Sequence, residues 1–279
     1  MCSSDLTTRQ AQSLQWAIQD ARAKGETLYV AYLDFENAFN STDHEALWRW
    51  LEELGVPDID LLRSLYADAY YRAEFPYGTT ADVPLTRGEK QGDLISPLLF
   101  ELLFNLYLLA LEATAGGAFR FTRSPRAARG FADDVAITAT SPSQLQTRLD
   151  ITERFCSWSG MRVKLAKSML TGYDFGERRE ADASRVSYCG QPLRHLPARE
   201  AFTYLGIRIS LAGSYQAERQ HVLDAVRELQ GLAKDHRYNF DQMVEAMQMV
   251  ASSRFQYSAP PASRTPSGSS TTSGTSAVS

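Results

Sequence analysis

Two neighbouring acids, Asp133 and Asp134, close the tetrapeptide Phe131-Ala132-Asp133-Asp134, which lies between Gly130 and the apolar run Val135-Ala136-Ile137. Apolar segments on both sides predict a tight β-hairpin with the acids at its tip, where Asp tolerates turn geometry. Adjacent carboxylates repel one another, so a hairpin that holds them together usually needs a cation to neutralise them. Taken alone, the tetrapeptide favours a plain solvated turn. A third acid changes the balance: Asp34 ends the β-rich run Leu28–Leu33.

The elements that must position these acids follow from periodicity and punctuation. Helical spacing of Leu14, Ala17, Ile18 and Ala21 predicts a helix over 5–23, stopped by Lys24-Gly25. Thr42 and Glu45 form a capping-box pattern for a helix that ends at Gly55, ahead of Pro57. A second helix is expected over 61–71, then an extended hairpin over 75–85 with Gly78 near its turn. Ser96-Pro97 and Ser141-Pro142 each offer a capping hydroxyl before proline, and the helices they start run to Gly116-Gly117 and Gly160. Residues 163–170, 185–189 and 202–209 read as strands, and 216–234 and 241–250 as helices. The order β-α, β-hairpin, α-β predicts an α+β fold with an antiparallel split βαβ (ferredoxin-like) sheet and helices packed on one face. In that arrangement Asp34 lies beside the hairpin tip that carries Asp133.

Composition bounds the rest. A chain of 279 residues, 44% hydrophobic, can bury a sizeable core. Its net charge of −4 neither favours nor excludes a nucleic-acid partner, because a local basic face can coexist with an acidic total. Cys2, Cys156 and Cys189 show no C-x-x-C pairing, which fits a reducing compartment and argues against zinc. No charged-then-apolar leader opens the sequence, so no signal peptide is expected. The most apolar stretch, Leu98–Ala113, is broken by Glu101, Asn105 and Glu112 and reads as a buried core helix rather than a membrane span.

The segments Leu-Asp-Phe-Glu-Asn-Ala-Phe (33–39), Arg-Gly-Glu-Lys-Gln-Gly-Asp-Leu-Ile-Ser-Pro-Leu-Leu-Phe (87–100) and Phe-Ala-Asp-Asp (131–134) come in this order. Gly160 with Lys167-Ser168, and Phe-Thr-Tyr-Leu-Gly (202–206), follow them. This series resembles the right-hand palm of reverse transcriptases, most closely those of non-LTR (LINE-like) retrotransposons, over residues 27–210. The resemblance implies an RNA-directed DNA polymerase, a nucleotidyltransferase that acts on an RNA template, a DNA primer and deoxynucleoside triphosphates, with two Mg²⁺ (or Mn²⁺) ions. Nucleotide addition is an in-line displacement on an α-phosphate, in which two hard cations steady the attacking and leaving oxygens.

Residue by residue, Asp34 and Asp133 would be shared metal ligands, with Asp134 and the Phe35 carbonyl contributing. Phe39, five residues after Asp34, would lie beneath the incoming sugar and exclude a 2′-hydroxyl. Gln91-Gly92 combines an amide that can bond the nucleotide or template with a glycine that admits close backbone approach. Lys167 would act as general acid toward departing pyrophosphate. Tyr204, Leu205 and Gly206 resemble the hairpin that grips the primer end. Arg120, Arg123, Arg126 and Arg129, three residues apart, could track the phosphates of an RNA–DNA hybrid or form a solvated loop.

Asn37, Asn40 and Lys164 depart from the residues common in the family. Few basic residues precede Asp34, so a fingers region is expected to be missing and the thumb short. The expected division is a helix at 1–26, the palm at 27–213, partial thumb or connecting helices at 214–257, and a disordered Ser/Thr/Gly/Pro-rich tail at 258–279. The rival reading is a non-catalytic palm remnant that binds RNA or protein. A viral RNA-copying polymerase is disfavoured by Phe39 and by Ala132. By resemblance the compartment would be nucleus or cytoplasm, without a membrane; the oligomeric state is open.

Overall fold

A computed structural model describes residues 3–90, 93–114, 128–131 and 134–213, and beyond them Gln220, Leu223, Asp224, Arg227 and Gly231. Helix α1 (Ser3–Lys24) stops at Gly25 and leads into strand β1 (Thr27–Asp34). Helices α2 (Ala38–Ser41), α3 (His44–Glu53) and α4 (Ile59–Ala67) follow. Next come two small pairs of strands, β2 (Tyr70–Tyr71) with β5 (Val83–Pro84) and β3 (Glu74–Phe75) with β4 (Gly78–Thr79), which make the expected hairpin. Helix α5 (Ser96–Ala113) precedes the hairpin of β6 (Ala128–Phe131) and β7 (Asp134–Ala139), and then α6 (Pro142–Ser159). The remainder is β8 (Met169–Asp174), β9 (Arg179–Glu180), β10 (Ser187–Tyr188), β11 (Gln191–Pro192), β12 (Arg194–His195), β13 (Phe202–Tyr204) and β14 (Ile207–Ile209).

The main sheet has the order β12-β8-β1-β7-β6, with β9 on β8. Its pairings are antiparallel except β12 with β8, which run parallel. Strand β1 is central and buried at each position from Leu28 to Leu33. That run has no polar alternation, so both of its faces must be covered. Tyr29, Ala31, Leu33 and Phe35 enter one core, beneath Leu47 of α3, Leu103 and Tyr107 of α5 and Leu149 of α6. Leu28, Val30 and Tyr32 enter a second core with Leu14 and Ile18 of α1 and Tyr204, Ile207 and Ile209 of the last hairpin. Each buried Leu or Ile contributes about 1.5–3 kcal/mol. Helices therefore lie on both faces of the sheet, not on one, because α1 seals the side left open by α3, α5 and α6.

Other expectations shift locally. The capping residue of α3 is Asp43, whose carboxylate accepts from the Ala46 N–H at 3.1 Å, while Thr42 Oγ1 donates back to the Ala38 carbonyl. Ser96 does not cap α5; its hydroxyl meets Tyr66 Oη at 3.1 Å, leaving Pro97 to start the helix. Ser141 does cap α6 by accepting from Gln144 N–H, and Gly160 ends that helix at φ 78°. Strand β8 begins at Met169 rather than 163, because residues 164–168 turn: the amides of Lys167 and Ser168 both bond the Lys164 carbonyl. The 185–189 strand shrinks to β10, cut by a left-handed turn at Cys189 and Gly190. Helix α5 is long and apolar enough to cross a membrane by length and composition, yet it buries Leu99, Leu103, Tyr107 and Leu111 as a core helix. Most of the helices expected at 216–234 and 241–250, and the tail from 258, lie outside the described residues.

Candidate active site

The carboxylates are placed by the ladder between β1 and β7. Asp34 ends β1 and stands directly opposite Asp134, the first residue of β7. Residues opposed in this way share a face, with Cβ atoms about 5 Å apart. That face is the one carrying Tyr32, so both acids open toward the second core's rim rather than into the first core. Like charges so close repel, and a cation answers them on the other flank: Lys167 Nζ is 3.5 Å from Asp34 Oδ2. The turn at 164–168 brings it there. It is anchored to β1, since the Lys164 N–H donates to the Asp34 carbonyl at 2.8 Å and the Asp34 N–H donates to Ser168 Oγ at 3.3 Å.

Just beyond Asp34 an isolated bridge joins Phe35 to Val163, made by the Asp34 carbonyl and the Glu36 N–H. Ladder bonds alternate sides along a strand, so the N–H and carbonyl of Phe35 itself are directed toward the acidic hairpin. The Phe35 ring is buried edge-on to Phe104 and Tyr107, which holds that carbonyl in place.

Phe39 lies in α2 and stacks on Phe100 of α5, ring centroids 4.1 Å apart at 25°. It stays 36% exposed, so one ring face is available to a ligand. The chain enters α2 through Asn37 in the left-handed region (φ 45°). The loop 87–90 then clamps it: the Glu89 N–H donates to the Phe39 carbonyl at 2.9 Å, and His44 Nε2 donates to the Gly88 carbonyl at 2.6 Å. Gly88 has φ 77°, and a Cβ there would sit 2.5 Å from Asn40 Cα, so only glycine fits.

Glu89 in this loop is 1% exposed, and among the described residues neither of its carboxylate oxygens has a hydrogen-bond partner. Burial pushes its carboxyl up to about 8. Sequence reasoning missed it. Within Arg-Gly-Glu-Lys it reads as one more solvated loop charge, and only the packing of α2 and α4 around it reveals otherwise.

On the other side of the acids stands the hairpin of β13 and β14. Its tip is Leu205 (φ 49°) and Gly206 (φ 79°), two left-handed residues in succession as a tight hairpin turn requires. Tyr204 is buried, and Phe202 stacks on Tyr32 with centroids 4.2 Å apart at 24°. Such a pair contributes about 0.5–1.5 kcal/mol beyond its area and fixes the hairpin against β1. Between hairpin and sheet lies a cavity of about 410 Å³, lined by Tyr32, Asp34, Asp134, Lys167, Arg194 and Tyr204 among others. Arg194 was also missed, because β12 is too short to register as a strand and reaches the site only through its parallel pairing with β8.

Asp133, Gln91, Gly92, Arg120, Arg123 and Arg126 lie outside the described residues, and Arg129 is described only as backbone of β6. Among the described residues no group of three or more His, Cys, Asp or Glu forms a metal centre. The donor set still fits Mg²⁺. That ion takes one or two carboxylates from protein and the rest of its octahedron from water and phosphate, and two opposed carboxylates at a solvent-open cavity meet this need.

The family model for reverse transcriptase (RNA-dependent DNA polymerase) matches residues 3–209. The retrovirus-related Pol polyprotein from type-1 retrotransposable element R2 of Popillia japonica is 27% identical over 225 residues, 79% of this chain and 37% of its own length. The corresponding polyprotein from the type-2 element R2DM of Drosophila melanogaster is 27% identical over 190 residues, 66% of this chain and 18% of that protein. The chain thus spans well under half the length of these relatives. Among solved structures, telomerase from Candida tropicalis in complex with a telomeric RNA fragment overlaps 88% of this chain and 41% of its own at 12% identity, with a TM-score of 0.46, too loose to add to the assignment. The family match over most of the chain, with relatives drawn from non-LTR elements, leads to one conclusion: this chain belongs to the reverse transcriptase (RNA-dependent DNA polymerase) family.

Proposed function

We propose that residues 27–213 form the palm of an RNA-directed DNA polymerase, a split βαβ sheet of ferredoxin type that adds deoxynucleotides to a primer 3′ end on an RNA template. The order β8-β1-β7-β6, antiparallel throughout, supports the sheet assignment. The observation that carries the reading is the direct opposition of Asp34 and Asp134 at one sheet end, with Lys167 Nζ 3.5 Å from Asp34.

Asp34, Asp133, Asp134 and the Phe35 carbonyl would hold two Mg²⁺ or Mn²⁺ ions. When bound, these ions stabilise charge on the attacking and leaving oxygens. The chain's own side chains do the rest. The exposed face of Phe39 supports the sugar and excludes a 2′-hydroxyl by contact. Gln91-Gly92 orients the nucleotide. The tip Tyr204-Leu205-Gly206 holds the primer end toward the carboxylates. As the primer 3′-oxygen bonds to the α-phosphorus and its proton passes to solvent, the bond from phosphorus to the bridging oxygen breaks, and Lys167 gives a proton from Nζ to the departing pyrophosphate.

Primer extension on an RNA template tests this, using the chain fused behind the region that precedes the palm in an R2-type relative. Extension with Mg²⁺ is expected, and its loss in both Asp34→Asn and Asp134→Asn. Extension that survives both substitutions would refute the assignment.

A further inference from the structure

The cavity beside the carboxylates has a cationic wall whose second member the chemistry above does not use. Strand β12 runs parallel to β8 with Arg194 level with Met169, and Met169 is level with Tyr32 of β1. Paired residues point to the same face of a sheet, so Arg194, Met169 and Tyr32 form a row on the face of Asp34 and Asp134. The turn at 164–168 brings Lys167 to the same group of acids, as its ion pair with Asp34 shows. Two cations therefore stand together on the β8 side of the carboxylates, in one cavity.

Arg194 is exposed, and among the described residues it forms no ion pair. The carboxylates in the lining of this cavity are Asp34 and Asp134, and Arg194 is ion-paired with neither among the described residues. An unpaired guanidinium beside an ammonium, in a cleft that opens to solvent, suits a phosphate: the planar fork presents parallel N–H donors to two oxygens at once. In the strand order β12-β8-β1-β7 the strands that carry Asp34 and Asp134 lie across β8 from Arg194.

We propose that Arg194, with Lys167, forms a phosphate-binding cleft on the β8 side of the carboxylate pair, taking a phosphate oxyanion of the nucleic-acid backbone or of pyrophosphate. The assignment rests on the polymerase reading above. Two probes separate the sources in the 279-residue chain: a labelled DNA-primer/RNA-template hybrid followed by fluorescence anisotropy, and pyrophosphate followed by calorimetry, each with and without Mn²⁺.

Arg194→Ala is expected to weaken one probe by about tenfold. If the hybrid is affected, the slope of log affinity against log salt also falls by about one. Arg194→Lys, which keeps the charge and loses the fork, falls between wild type and alanine. A melting temperature unchanged by either substitution separates binding from folding. The cleft is overturned if both probes bind Arg194→Ala as tightly as wild type, or if wild type binds neither. Asp34→Asn scores the polymerase reading separately. A chain carrying it that still binds Mn²⁺ like wild type sinks that reading, while the metal-free effect of Arg194 stands on its own.

Discussion

Replacing Glu89 by Gln tests whether the loop that clamps Phe39 holds a proton. The carboxyl is 1% exposed with no partner for either oxygen among the described residues, and burial lifts it to about 8. A raised folded-state value means that the native protein binds a proton which the unfolded chain, titrating near the ordinary glutamate value, releases. The stability this proton confers is complete below about pH 4.5, declines by ~1.4 kcal/mol for each pH unit above it, and is gone beyond about pH 8. At pH 7 about 3 kcal/mol is therefore missing relative to the acid limit, a large share of the stability of a typical domain. Gln is isosteric and cannot ionise. Urea unfolding of both proteins between pH 5.5 and 8.5 should show Glu89→Gln gaining on wild type by ~1.4 kcal/mol per pH unit up to about pH 8. Taking the difference cancels the other titrating groups, and reading its slope avoids the unknown cost of burying an amide. A flat difference would mean that Glu89 is ionised and paired, and the reasoning would be refuted.

Asp134→Asn should weaken Mn²⁺ binding markedly in a titration, because one of the two opposed carboxylates is lost; unchanged affinity would count against the site. Phe39→Val, in a form of the protein that extends primers, should admit ribonucleotides while sparing deoxynucleotide use; an unaltered ratio of kcat/KM would make Phe39 a packing residue only. Gly88→Ala forces a Cβ to within 2.5 Å of Asn40 Cα at φ 77°, and should lower the urea midpoint by the equivalent of ~2 kcal/mol or more. Removing residues after Tyr257 should leave the melting temperature unchanged, since Ser, Thr, Gly and Pro offer a core almost nothing to bury.

What could be read in advance was what local chemistry decides. The unbroken apolar run of β1, the serine cap and glycine stop of α6, and the apolar run of β7 behind Asp134 each carry their structure within a few residues. What could not be read was decided by distant partners. Ser96 has the profile of a cap, but Tyr66 takes its hydroxyl. Val163 and Leu165 alternate like a strand, yet two amides converging on the Lys164 carbonyl bend the chain, and that bend is what delivers Lys167 to Asp34. Helices were expected on one face of the sheet only, and the second cover, from α1 and the last hairpin, is a matter of topology. Glu89 and Arg194 have no local signature, since one is made unusual by burial and the other by a two-residue parallel strand.

The pairing of β1 with β7 has a consequence for how such a sequence tolerates change. Asp34 faces Asp134 because the number of residues between the strand's start and its last acid has the right parity. Deleting one residue between Leu28 and Leu33 would leave the strand as apolar as before, yet turn Asp34 inward and bring Phe35 to its place opposite Asp134. Deleting two would restore the face but draw the carboxylate about 6.6 Å along the strand, to the level now held by Tyr32 beneath the hairpin. Substitutions in this strand are graded by size and polarity. Length changes are all-or-none, so insertions and deletions could silence the chemistry of a copy whose fold and composition still look intact.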